Sequence, residues 1–221
     1  MKIGALAATV AAGVLMTSSA MAAPLLINGG FEDLGGASPQ GWGGYTFGAG
    51  YSPVLPGWSI DSGSVDVTQT GSTWGPAFEG VNSLDINGWD AGQISQTFAT
   101  TPGKTYKVSF VYSRNAAGAP DPATADVSAG GQVVHVSAAN DGSFGSGYNM
   151  IWKPVSFDFV ASGAASTVTL DATVAGNSGV FFDDVSVAGV PEPATWAMMM
   201  IGFGGMGALL RTRRRTAALA A

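Results

Sequence analysis

Between Pro24 and Val190 the chain alternates apolar and polar residues with a period of two, and helical periodicity is nearly absent. Short runs rich in Val, Ile, Thr and aromatics are separated by clusters of Gly, Asn, Asp and Pro. That pattern predicts strands joined by turns rather than helices. Leu25–Ile27 reads as a first strand closed by Asn28-Gly29-Gly30, and Gly35–Gly57 as a long loop rich in glycine and aromatics. Trp58–Ile60, Ser64–Val67, Ser83–Ile86 and Gln93–Phe98 follow as strands. Thr105–Tyr112 is the clearest of all, with Tyr106, Val108, Phe110 and Tyr112 on one face. Ala125–Ser128 and Gln132–Ser137 pair as a hairpin across Ala129-Gly130-Gly131. After a second glycine loop, Asn140–Asn149, come Trp152–Val160, Ser166–Val174 and Val180–Val187. In the last of these, Phe181, Asp183, Val185 and Val187 are expected on one side. About ten strands without a helix predict an all-β jelly-roll sandwich.

The two ends break this pattern. Lys2, the apolar stretch Ile3–Met16 and Ala20-Met21-Ala22 read as a signal peptide over residues 1–22, a signal helix cleaved after Ala22. At the other end Pro191-Glu192-Pro193 cannot continue a strand or a helix, because proline lacks an N–H and fixes φ. An uncharged apolar segment follows, then Arg211, Arg213, Arg214 and Arg215, which hold that side at the cytoplasmic membrane surface as a stop. Residues 216–221 form a short cytoplasmic tail, and the body up to Val190 lies across the membrane. Trp196–Leu210 is one short transmembrane helix of 15 residues. At roughly 22 Å it falls short of a ~30 Å hydrocarbon core. Gly202, Gly204, Gly205 and Gly207 weaken it further, which suits a transient sorting segment better than a plain anchor.

With both ends removed, residues 23–190 carry four basic residues against fourteen acidic ones, a net charge of −10. Phosphate binding needs clustered cations, so nucleic acid is excluded as a partner. A neutral polymer, a cationic ligand or calcium stays open. The chain has no cysteine, so its stability comes from an ordinary core rather than disulfides.

The tail Pro191, Glu192, Pro193, the apolar Trp196–Leu210 and the arginine cluster closely resemble the PEP-CTERM sorting signal. That resemblance implies recognition of the motif by an exosortase. It also implies export by the secretion machinery, transient residence in the inner membrane, and release to the cell surface or extracellular matrix. The body resembles the secreted domains called choice-of-anchor C. The resemblance rests on Asn28-Gly29-Gly30-Phe31-Glu32, Pro56-Gly57-Trp58, Ser83–Gly88, Gly92–Phe98, Gly103–Tyr106, Trp152 and Phe182–Val187. It also extends to carbohydrate-binding modules of families four and twenty-two, and implies a galactose-binding-like jelly roll. In those modules the first-strand loop and the last strand hold a structural calcium, which would place Glu32 and Asp183 as its ligands. The alternative is that Glu32 accepts backbone N–H groups and Asp183 caps a turn.

Sugar binding uses flat rings against the apolar sugar face. Trp74 and Trp89, in glycine-rich stretches, are the candidate ligand-binding residues, whereas Trp58 and Trp152 sit at strand starts and are expected in the core. Catalytic residues are not expected. His135, the only histidine, lies inside an alternating strand. Glu79 and Asp85 are the available carboxylates for an alternative polysaccharide hydrolase or lyase, which needs a facing pair. Gly202–Gly207 satisfies G-x-G-x-x-G but follows no strand, so the dinucleotide reading fails on context. The expected function is a non-catalytic, exported surface protein that binds or organises extracellular polysaccharide, the alternatives being the enzyme or a purely structural surface protein.

Overall fold

The computed structural model describes residues 25–71, 74–115, 118, 120–139, 150–191, 199–207 and 211. The signal peptide, Glu192, Pro193, Arg213, Arg214, Arg215 and the loop Asn140–Asn149 lie outside the described residues. Among the described residues eleven strands form the body: β1 (Gly44–Gly48), β2 (Ser59–Ser62), β3 (Ser64–Gln69), β4 (Asn82–Asp85), β5 (Gln93–Ala99), β6 (Thr105–Arg114), β7 (Ala123–Ala129), β8 (Gln132–Ala138), β9 (Lys153–Val160), β10 (Ala165–Ala172) and β11 (Val180–Gly189). They make two antiparallel sheets, ordered β1-β3-β4-β11-β6-β9 and β2-β5-β10-β7-β8. The expected all-β jelly-roll sandwich is the fold.

Alternation in the strands becomes two facing apolar layers. The six-stranded sheet sends Val65, Val67, Leu84, Val108, Phe110, Phe182 and Val187 inward, against Ile94, Phe98, Ala125, Val127, Val168 and Leu170 of the five-stranded sheet. Removing these side chains from water is the main favourable term holding the layers together. The hairpin of β7 and β8 turns on Gly130 (φ 56) and Gly131 (φ 81). Two successive positive φ values match the right-handed strand twist, and glycine adopts them without steric cost.

Three expectations change. Leu25–Ile27 is not a strand, although Leu25 N–H donates to Val187 O at 2.9 Å and so lies beside β11. The long loop Gly35–Gly57 contains β1, whose glycine-flanked sequence is held as a strand by pairing with β3, Tyr45 opposite Val67. Tertiary pairing there overrides a weak local preference. In β11 the register shifts between Asp183 and Ser186, with Asp184 at φ 49. This bulge swaps faces. Val180, Phe182, Val185 and Val187 point to the core, while Phe181 packs on the outer side of the sheet with Met150, Trp74 and Trp152. Asp183 therefore does not share a face with Val185 and Val187.

Trp58 is in the core as expected, whereas Trp152 is half-buried on the outer face of the six-stranded sheet. The chain leaves the sandwich through Val190, whose N–H donates to Thr105 O, so exposed Pro191 sits directly against the body. Residues 199–207 are helical and exposed throughout, and among the described residues no helix is long and apolar enough to cross a membrane. Among the described residues every strand and every core residue lies between Leu26 and Gly189, so the core is complete without the described part of the tail.

Candidate functional site

The loop from β1 to β2 is anchored from below and open above. Leu55 and Trp58 are buried, and the Trp58 indole N–H donates to Asn28 O at 3.0 Å. Between these anchors Tyr51 and Val54 stay outside, 66% and 69% exposed. A second tip, between β4 and β5, presents Trp89, 65% exposed. Buried Ser64 holds that tip: its Oγ accepts the N–H of Trp89 at 2.8 Å and donates to Asp90 Oδ1 at 2.9 Å. Tyr51 and Trp89 meet edge to face, centroids 6.1 Å apart at 87°. Both rings close over Gly48, where a Cβ would lie 3.0 Å from Tyr51 and 3.5 Å from Trp89.

Beside this pair runs a cavity of about 750 Å³. Ile27, Tyr51 and Val54 supply apolar surface, and Ser59, Ser95 and Thr97 supply hydroxyls. Gln96 also borders it, with its amide already engaged by Ile27 (N–H to Oε1 2.6 Å, Nε2 to O 2.8 Å). A ring-and-hydroxyl lining is what a sugar's apolar face and hydroxyl rim require. Trp89, expected from the sequence as a ligand-binding residue, is exposed at the β4–β5 tip beside the cavity. Tyr51 was legible only as one aromatic among several in a glycine-rich loop. Trp74 is placed differently: it is half-buried, donates its indole N–H to Trp42 O at 3.1 Å, and packs on the outer face of the six-stranded sheet.

Glu32 and Asp183, the expected calcium ligands, both border Gly30. A Cβ on Gly30 would lie 3.1 Å from Glu79 Oε1, 3.7 Å from Asp183 Oδ1 and 4.0 Å from the Glu32 side chain. Their oxygens are engaged by backbone donors. Glu32 Oε1 accepts from Val81 and Asn82, both at 2.9 Å. Asp183 Oδ2 accepts from Phe78 and Glu79, and Oδ1 from Asp184. Burial pushes Asp183 up to about 7, and Glu79 is also raised, by burial and then by the charges of Asp184 and Glu32. Among the described residues no three His, Cys, Asp or Glu form a group that could hold a metal ion.

The remaining candidates are placed for structure. Asp85 is fully buried, with Oδ1 accepting from Asn87 N–H and Gly179 N–H, and Oδ2 from Asn115 at 2.7 Å. Burial still raises its pKa to about 8. Sealed in this way, Asp85 cannot reach a substrate, so Glu79 and Asp85 are not a hydrolase pair. His135 lies exposed on β8 and pairs with Asp126 across to β7 at 2.6 Å, a strand-face histidine as expected. Pro191 and Arg211 are exposed.

The family model described as "Protein of unknown function (DUF642)" matches residues 24–187, and the PEP-CTERM protein-sorting motif matches residues 189–215. No curated protein matches the chain. Among solved structures, TmCBM61, determined in complex with beta-1,4-galactotriose, is 19% identical over 76% of this chain and 99% of its own, with a TM-score of 0.46. The CBM22-1 xylan-binding domain from Paenibacillus barcinonensis Xyn10C is 15% identical over 71% and 99%, at 0.42. A cyclase from Fischerella sp. TAU is 18% identical over 75% and 96%, at 0.47. At identities this low, nothing that these proteins bind or do carries over to this chain.

Proposed function

We propose that this chain, which belongs to the DUF642 family and ends in a PEP-CTERM protein-sorting motif, is a non-catalytic surface protein that binds exopolysaccharide. The sorting motif marks it as an exosortase-sorted protein of the cell surface. The observation that carries the glycan reading is the exposed Tyr51–Trp89 pair over Gly48, set beside a cavity whose lining includes Ser59, Ser95 and Thr97. The sealed state of Asp85 supports binding without hydrolysis.

The test is a tryptophan-fluorescence titration of residues 23–190 with the producing cell's own exopolysaccharide. Saturable quenching without release of new sugar ends is expected. Trp89→Ala should weaken binding by roughly tenfold or more, since a central aromatic anchor is worth about 2 kcal/mol or above. Release of sugar ends would move the chain to the hydrolase or lyase reading, and absence of any binding to the structural one.

A structural calcium at Glu32 and Asp183 belongs to the same proposal. Glu32, Glu79 and Asp183 border Gly30 without forming a ready-made metal group, and the repulsion of Glu79 with Glu32 and Asp183, which a cation would offset, supports it. Calcium is expected to raise the melting temperature of the body, and EDTA to remove that gain. A melting temperature indifferent to both would leave these carboxylates as acceptors of backbone N–H groups alone.

A further inference from the structure

Resting on the glycan-binding reading of the Tyr51–Trp89 groove, we propose that its ligand is an uncharged polysaccharide and that uronate-bearing polymers are rejected. The side chains lining the cavity are hydroxyl, amide, aromatic and aliphatic, with no Asp, Glu, Lys, Arg or His among them. Recognition of a carboxylate draws on Arg or Lys donors. The body has four, and all belong to the other sheet: Lys104 before β6, Lys107 and Arg114 on β6, and Lys153 opening β9. Lys107 is moreover paired with Asp158 at 2.7 Å.

The groove instead lies at the β2–β5 edge of the five-stranded sheet. Its flanks carry the opposite sign: Asp61 on β2 and Asp90 next to Trp89 are both exposed. The whole body adds a net charge of −10. An acidic polymer would therefore approach against the field and find no cation on arrival. A neutral pyranose needs neither. Its C–H face stacks on a ring and its edge exchanges hydrogen bonds with Ser59, Ser95 and Thr97, whose hydroxyls both donate and accept. A volume of about 750 Å³ suits a short run of sugar units.

The experiment measures binding of residues 23–190 to a soluble glucan, a galactan, an arabinan and polygalacturonate, each at low and high salt. At least one neutral polymer should bind, with a dissociation constant that salt changes by less than about twofold, because no ion pair forms to be screened. Polygalacturonate should not bind. Trp89→Ala, at an exposed position, should weaken the neutral polymer about tenfold while leaving the melting temperature in place. Ser59→Lys, also exposed, should add binding of polygalacturonate that salt abolishes. Tighter binding of polygalacturonate than of any neutral polymer, lost at high salt, would overturn the neutrality while leaving the glycan reading intact. Binding that ignores Trp89→Ala would overturn the groove as its place. Absence of binding to all four would overturn both.

Discussion

Gly29→Ala is expected to remove a large share of the stability of the body. The Gly29 carbonyl accepts the Val185 N–H at 3.0 Å, and a Cβ on Gly29 would lie 1.8 Å from Val185 O, a backbone atom with no room to move. The clasp holds the segment that follows. Phe31 is fully buried at φ 57 and packs on Trp58 with centroids 5.7 Å apart, and Glu32 ties down Val81 and Asn82. Forcing the segment off β11 exposes Phe31, a loss of about 3–5 kcal/mol by comparison with removal of a core phenylalanine. That is a large share of the ~5–15 kcal/mol that domains possess. Urea denaturation of residues 23–190 should show a loss above about 3 kcal/mol. The control is Gly41→Ala, where a Cβ meets nothing within 4 Å. That change should stay within about 0.5 kcal/mol, as surface substitutions usually do. Equal stability of the two variants would mean that the clasp holds nothing.

The second large effect concerns pH. Four carboxyls are raised with burial as the first cause: Asp66 to about 6, Asp183 to about 7, Asp85 to about 8, and Glu79. A carboxyl whose folded pKa lies above its unfolded value binds its proton more tightly when folded. Its contribution to stability is full below the unfolded value, 3.8 for the aspartates, and is lost as pH rises through the folded one. The body should therefore be more stable near pH 5 than near pH 8, by a few kcal/mol, or roughly 5–10 °C in melting temperature for a domain this size. Asp85 lies opposite Asp66 on neighbouring strands, and ionising both places two negative charges in one buried patch. Between about pH 7 and 8 Asp85 supplies most of the slope and the half-titrated Asp183 the rest, so Asp85→Asn should remove most of the slope there. Its amide oxygen can still accept the Asn87 and Gly179 N–H groups, while its NH2 replaces the oxygen that accepts from Asn115 at 2.7 Å, so the variant should be less stable than the natural protein near pH 5 and approach it near pH 8. A profile that Asp85→Asn leaves unchanged would assign the slope elsewhere.

Where the side-chain period was regular, the fold was legible from the chain. The strands Gln93–Phe98, Thr105–Tyr112 and Trp152–Val160 stand as β5, β6 and β9 within a residue or two at their ends. Each alternates over most of its length, and a period of two admits only one assignment of faces. β1 was hidden because its own residues favour a turn and only pairing with β3 makes it a strand. The face of Asp183 was misassigned because one left-handed residue, Asp184, resets the alternation, and no local signal marks it. Trp89 was legible as a candidate because it follows Gly88 at a strand end, while its partner Tyr51 stands 38 positions earlier in the chain and meets it only through the fold.

The amino-acid sequence by itself determined the sandwich, the acidic body and the sorting address. Alternation, net charge and a proline-bounded apolar tail are local or summed quantities, complete before any contact forms. Tertiary structure alone decided which side of β11 carries Asp183, that Asp85 is sealed, and that Trp89 meets Tyr51 beside an uncharged groove that Tyr51 and three hydroxyl-bearing residues line. These depend on residues distant in the chain being brought within a few ångströms, and such proximity is a property of packing, which the linear order of residues does not contain.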